Sequence, residues 1–279
     1  MKQLEERYAC SPSEVMGMNT TQLREHFLIQ GIMKEGEVTF TYLHYDRMMV
    51  GGVVPSGGPI VLPGYEQLKS AFFLERREMG IINTGGRGVV TADGKDYALD
   101  RLDCLYLGKG IKEVTFTSDN KDQHAKYFIL SAPAHQAFPA TLMTSSQATP
   151  AALGAAETSN QRTIYKYIHE DGIKSCQLVM GLTVLQAGSV WNTMPAHTHN
   201  RRSEVYLYFD LDPQQRVFHF MGAPAESRHL VMAADEAVVS APWSIHSGCG
   251  TSRYSFIWGM AGENQSFADM DMISMHQLQ

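Results

Sequence analysis

The residues best suited to chemistry in this 279-residue chain lie in Met194-Pro195-Ala196-His197-Thr198-His199-Asn200-Arg201-Arg202-Ser203-Glu204-Val205-Tyr206. Two histidines at i and i+2 on an extended strand project from the same face. The polar stretch from Asn200 to Ser203 can turn the chain so that Glu204 starts the next strand beside them. Two imidazoles and a carboxylate on one surface form a facial ligand set that leaves coordination positions open for water or substrate. A further histidine, His246, follows in Ala241-Pro242-Trp243-Ser244-Ile245-His246-Ser247-Gly248, at the end of another β run and just before a glycine turn. An isolated HxH pair carries little weight, whereas HxH, Glu and a later Pro-x-x-x-His-x-Gly turn together make a much stronger signal. The remaining histidines, His26, His44, His124, His135, His169, His219, His229 and His276, lack such a context and are read as ordinary core or surface residues.

Strands must position those groups. Val38–Tyr42, Gly80–Asn83, Gly88–Thr91, Cys104–Leu107 and Val114–Phe116 read as short β runs between glycine- and proline-rich breaks. Asp93-Gly94 marks a hairpin, because both residues tolerate the positive φ of a tight turn. Asn19-Thr20-Thr21 offers capping oxygens to one early helix carrying Leu23 and Phe27. After a small, polar stretch at 144–160, read as a linker, strands resume at Thr163–Ile168, Gln177–Leu182 and Glu204–Phe209. Closely spaced strands with few helices favour an antiparallel sandwich or barrel over a parallel sheet. Lys126–Leu130 resembles Arg253–Trp258, a hint of duplication that implies two related β halves, one of which keeps the chemistry.

Composition narrows the function classes. With 44% hydrophobic and 19% charged residues the chain can pack a core, and 23 basic against 29 acidic residues leave a net charge of −6. That balance argues against nucleic acid as the partner. No apolar run approaches the roughly 18 residues of a membrane span, and the N-terminus lacks a signal-peptide core, so a soluble cytoplasmic protein is expected. Cys10, Cys104, Cys176 and Cys249 are scattered and read as small buried hydrophobes.

The quartet His197, His199, Glu204 and His246 resembles the two metal motifs of the cupin superfamily. With Met221–Pro224, Arg228–Met232, Pro242–Gly248 and Phe256–Gln265, and with Tyr42–Gly52 and Arg162–Ile168 earlier, the chain is similar to the 5-keto-4-deoxyuronate isomerase family over most of its length. The resemblance implies a mainly β fold of two cupin-like jelly-roll barrels with few short helices. Residues 1–150 would form a barrel without metal ligands, and residues 151–279 the metal-binding barrel. It further implies one Zn2+ per subunit held by the quartet, a small sugar-acid substrate, and a homo-oligomer, a hexamer. The same ligand types accept iron, manganese, nickel or cobalt. Tyr206, Tyr208, Tyr254 and Glu263 are candidates for the catalytic base. Arg162, Arg201, Arg202, Arg228 and Arg253 are candidates for pairing with the substrate carboxylate, since a buried carboxylate needs a cation. Met16, Met18, Met48, Met49 and Phe72-Phe73 offer material for a subunit interface. A cupin dioxygenase and a non-catalytic sugar-acid-binding cupin are the alternatives in other functional classes.

Overall fold

The computed structural model describes residues 4–279, and β-strands dominate it. Two sheets come from the first half of the chain, a seven-stranded one and a four-stranded one, and the second half repeats the pair. Tyr127–Pro133 and Ser255–Gly262, the strands whose sequences look alike, each occupy the fourth place in their seven-stranded sheet. The duplication is therefore visible in strand order as well as in sequence.

Local chemistry accounts for the elements. Helix Thr20–Phe27 starts at Asn19, whose side chain accepts from the Gln22 N–H while Gln22 reaches back to the Asn19 N–H, and it buries Leu23 and Phe27. Strands Gly88–Ala92 and Lys95–Leu99 pair through the expected hairpin, with φ of 46° at Asp93 and 80° at Gly94. Val38–Leu43, Arg77–Asn83, Cys104–Leu107 and Val114–Ser118 form over the short β runs that the glycine and proline breaks delimit.

One segment differs from the sequence reading. The stretch 144–160 is not all loop, because Ala151–Leu153 pairs antiparallel with the start of Arg162–Ile168 and closes one edge of the second large sheet. The opposite edge of that sheet is Leu28–Ile29, from the N-terminal region, paired with Glu236–Ser240. An exposed edge carries unpaired backbone groups, and both short strands cover one.

The two large sheets share a core. Ile82, Cys104, Tyr106, Phe128 and Leu130 from the first half pack in one cluster with Leu178, Met180, Val205 and Leu207 from the second. Gly80 permits the close approach, since a Cβ there would stand 2.7 Å from Met180 Sδ. The interior of the first half is a separate apolar cluster built around Met49, Met79, Phe116 and Tyr127. Most of the residues offered for an interface are thereby internal: Met48, Met49 and Phe73 are buried, and Met18 packs against the shared core, whereas Met16 is 58% exposed.

Candidate metal centre and cavity

Four short pieces of chain bring the quartet together between the sheets of the second half. His197 lies in His197–Thr198, which pairs with Asp271–Met272. A turn closed by the Arg202 N–H on the His199 carbonyl leads into Arg202–Phe209, the interior strand bearing Glu204, next to Ser255–Gly262. His246 immediately precedes Ser247–Gly250 of the four-stranded sheet. All four side chains are buried, and their donor atoms lie within 4.8 Å of one another.

The spacing is that of a ligand set. His197 Nε2 stands 3.0 Å from both His199 Nε2 and His246 Nε2, while Glu204 Oε2 is 3.2 Å from His199 Nε2 and 2.9 Å from His246 Nε2. Donors about 2.1 Å from one ion and adjacent in an octahedron stand about 3.0 Å apart. His199 Nδ1 faces the Asp269 carbonyl at 2.7 Å, which places its proton there and turns a bare Nε2 toward the centre. Glu204 Oε2 is buried without a hydrogen bond of acceptable geometry, despite its imidazole neighbours. Three buried imidazole nitrogens and a carboxylate oxygen converging on one point fit a divalent cation, and this buried group can hold one.

Electrostatics agree. Burial, together with the neighbouring His246 and His199, holds the His197 pKa down to about 2, so its imidazole is neutral at ordinary pH. Burial alone would raise the Glu204 carboxyl, but His246 and His199 outweigh it and keep it ionised. Among the described residues no other His, Cys, Asp and Glu group of this kind occurs, and the first half has none.

The quartet opens onto a cavity of about 350 Å³, with His197, His199 and Glu204 on its wall. That lies toward the small end of ligand pockets, roughly 300–1,000 Å³. Phe256, Trp258 and Phe267 make much of the lining apolar, and Arg162 is the one Lys or Arg side chain among the lining residues. Burial lowers the Arg162 pKa from its usual value.

The other arginines lie elsewhere. Arg201 pairs with Asp269 and Asp271, and Arg202, 1% exposed, donates to the carbonyls of Ser266 and Asp269. Arg228 pairs with Glu226 and donates to the Met16 carbonyl, and Arg253 is exposed. None of the four lines the cavity, so their suggested contact with a substrate carboxylate is corrected to structural pairing or solvent.

The tyrosines also separate. Tyr206 lines the cavity, with its ring edge-on to His246 at 5.5 Å between centroids. Tyr208, two residues on, shares its face but places its hydroxyl 2.8 Å from His219 Nδ1, away from the cavity. Tyr254 donates to Asn192 Oδ1, and Glu263 is exposed at the end of its strand. Glu263 is not among the residues that line the cavity.

Sequence reasoning missed three contributors. Asp269 orients His199 through its carbonyl and Arg201 through its carboxylate, from 70 residues away and without a motif. Thr193 lines the cavity beside Tyr206. His219, read as ordinary, is fully buried beneath the site, where burial and then His246 push its pKa down to about 3.

Comparison with known proteins places this arrangement among relatives. Residues 30–276 match the KduI/IolB family. The chain is 50% identical over 275 residues to a 4-deoxy-L-threo-5-hexosulose-uronate ketol-isomerase of Halalkalibacterium halodurans, covering 99% of this chain and 100% of that protein. A protein of the same name from Cereibacter sphaeroides is 51% identical over 278 residues, covering all of both chains. Among solved structures, an IolB-like protein of Salmonella typhimurium LT2 superposes with a TM-score of 0.73 at 16% identity, covering 88% of this chain and 96% of that one. An oxalate decarboxylase of Lactobacillus farciminis gives a TM-score of 0.56 at 10% identity, covering 82% and 80%. These two likenesses concern the fold, which is of the cupin and IolB-like kind.

Proposed function

The chain belongs to the KduI/IolB family, and on that premise we propose that it is a metal-dependent ketol-isomerase acting on 5-dehydro-4-deoxy-D-glucuronate to give 3-deoxy-D-glycero-2,5-hexodiulosonate. The observation that carries this reading is the buried three-histidine, one-glutamate group at the wall of a cavity with one cation, in a chain half identical to proteins named for that reaction. In the conversion one proton passes from the hydroxyl-bearing carbon to the aldehyde carbon, and one from the hydroxyl oxygen to the carbonyl oxygen. The aldehyde becomes a primary alcohol and the hydroxyl a ketone, with no net redox change.

His197, His199, Glu204 and His246 would hold the ion, which we take to be Zn2+. When bound it supplies Lewis-acid stabilisation of negative charge developing on the substrate oxygens. Arg162 binds the substrate carboxylate, since its planar fork pairs both oxygens and no other Lys or Arg shares the wall. Tyr206 presents its hydroxyl to the sugar. Phe256, Trp258 and Phe267 keep water from the reacting carbons. Residues 1–150 and 151–279 are read as two cupin-like barrels, of which the second works.

We place the protein in the cytoplasm as a homohexamer. The exposed Leu153 and Met272, which also line the cavity, favour subunit contacts near its mouth. Light scattering after gel filtration measures the assembly, and a monomeric mass overturns it. The activity test follows the sugar by proton NMR with metal-loaded protein. Loss of the aldehyde signal and growth of a CH2OH signal are expected. No turnover, or turnover that consumes O2, overturns the reading.

A further inference from the structure

Thr193 follows the short strand Trp191–Asn192 with a φ of 56°, in the left-handed region. A β-branched residue there is a genuine outlier, and such strain persists only where the surroundings over-determine it. Here they do. The Tyr254 hydroxyl donates to Asn192 Oδ1, which fixes the amide so that Asn192 Nδ2 donates to Thr193 Oγ1 at 2.9 Å. Thr193 Oγ1 in turn lies 3.3 Å from the Tyr206 hydroxyl, and both residues line the cavity.

Either hydroxyl can donate in the Thr193–Tyr206 contact. With Thr193 Oγ1 accepting from Asn192, its own proton can go to the Tyr206 oxygen. The Tyr206 proton is then free to point at whatever fills the cavity. We propose that Thr193 is a positioning residue of this site, held by Asn192 and Tyr254 against its backbone preference so that the Tyr206 hydroxyl is presented to the bound sugar as a donor. This inference rests on the isomerase reading and names a residue that reading does not need.

The test compares Thr193→Val, Thr193→Ser, Thr193→Ala, Thr193→Gly, Tyr206→Phe and the double variant T193V/Y206F. T193V should lower kcat on the order of 10–100-fold, as misplacement of one reacting group does. Its KM should stay within about threefold, with metal content unchanged. T193S, which keeps the hydroxyl, should recover most of the rate. Because the two hydroxyls act as one unit, T193V/Y206F should be no slower than Y206F alone. Wild-type kcat in T193V, failure of T193S to recover it, or additive losses in the double variant each overturn the proposal.

A readout without substrate separates this from the functional reading. Neither T193G nor T193A carries the hydroxyl, but only alanine is strained at a positive φ. T193G should therefore unfold about 2 °C above T193A, the reverse of their order at an ordinary site. An alanine variant at least as stable as the glycine variant overturns the proposal, whereas an inactive wild type overturns the isomerase reading.

Discussion

Glu78 joins the two halves of the molecule, and replacing it measures that junction. It sits on Arg77–Asn83 of the first half with 0% exposure. Oε1 accepts the N–H groups of Gln177 and Leu178, each at 2.8 Å, and Oε2 accepts the Cys176 N–H at 2.6 Å and the Tyr106 hydroxyl at 2.7 Å. Those three amides lead directly into Val179–Leu185, whose Thr183 lines the cavity. Glu78→Ala leaves three backbone donors dry, and at about 1–3 kcal/mol each the loss is roughly 3–9 kcal/mol. Against a typical total of about 5–15 kcal/mol this variant should be largely unfolded.

Glu78→Gln is the more informative change. Its oxygen keeps Gln177 and Leu178, while its amide nitrogen meets the Cys176 N–H donor to donor. The Tyr106 hydroxyl can rotate to accept. One lost amide bond and the weakening of its neighbours should cost about 2–4 kcal/mol. Urea unfolding followed by circular dichroism should show a lower midpoint at unchanged slope, with unchanged metal content in the folded protein. A loss below about 0.5 kcal/mol would refute the reasoning, because surface substitutions cost that much. So would a wild-type curve with two separate transitions.

His199→Ala and His246→Ala should each lose metal and activity together while circular dichroism stays close to wild type; full activity in either refutes its place in the quartet. Arg162→Ala should raise KM on the order of 10–100-fold, the worth of a charge-assisted pair, with kcat little changed; an unaltered KM in steady-state assays removes Arg162 from carboxylate binding. His219, with its folded pKa pushed down to about 3, stays neutral where an unfolded histidine binds a proton. The unfolded state then holds more protons between about pH 6.5 and 3, so stability present above that window is lost as pH falls through it. His219→Gln should flatten acid unfolding of the metal-free protein in that range, and an identical pH profile contradicts the assignment.

Much of the fold was legible because it is written in short-range spacing. Asn19 with Gln22 three residues on encodes a helix start, and Asp93-Gly94 encodes a hairpin, since each pattern satisfies backbone groups within a few residues. The candidate quartet was legible in part for a related reason. His197 and His199 share a face by strand alternation, and only the convergence of His246 needed the fold. The segment 144–160 misled because small polar residues mark loops, whereas the free edge of a neighbouring sheet recruits Ala151–Leu153 as a strand.

Residue types and their intervals by themselves pointed to a β-rich chain with two imidazoles and a carboxylate on one face and a third imidazole far along the chain, a set that could hold one ion. Only the tertiary structure decided which arginine faces the cavity. Arg201 and Arg202 stand nearest the ligands in sequence, yet the C-terminal segment brings Asp269, Asp271 and the carbonyls of Ser266 and Asp269 against them, while Arg162 reaches the wall from another strand. It also decided that Tyr206 lines the cavity and Tyr208 does not, that Leu28–Ile29 completes the distant sheet, and that Thr193 sits against its preference beside Tyr206. The physical reason is range: alternation and turn chemistry act over a few residues, whereas the pairing of a charge or hydroxyl depends on what distant chain the packing of two sheets sets beside it.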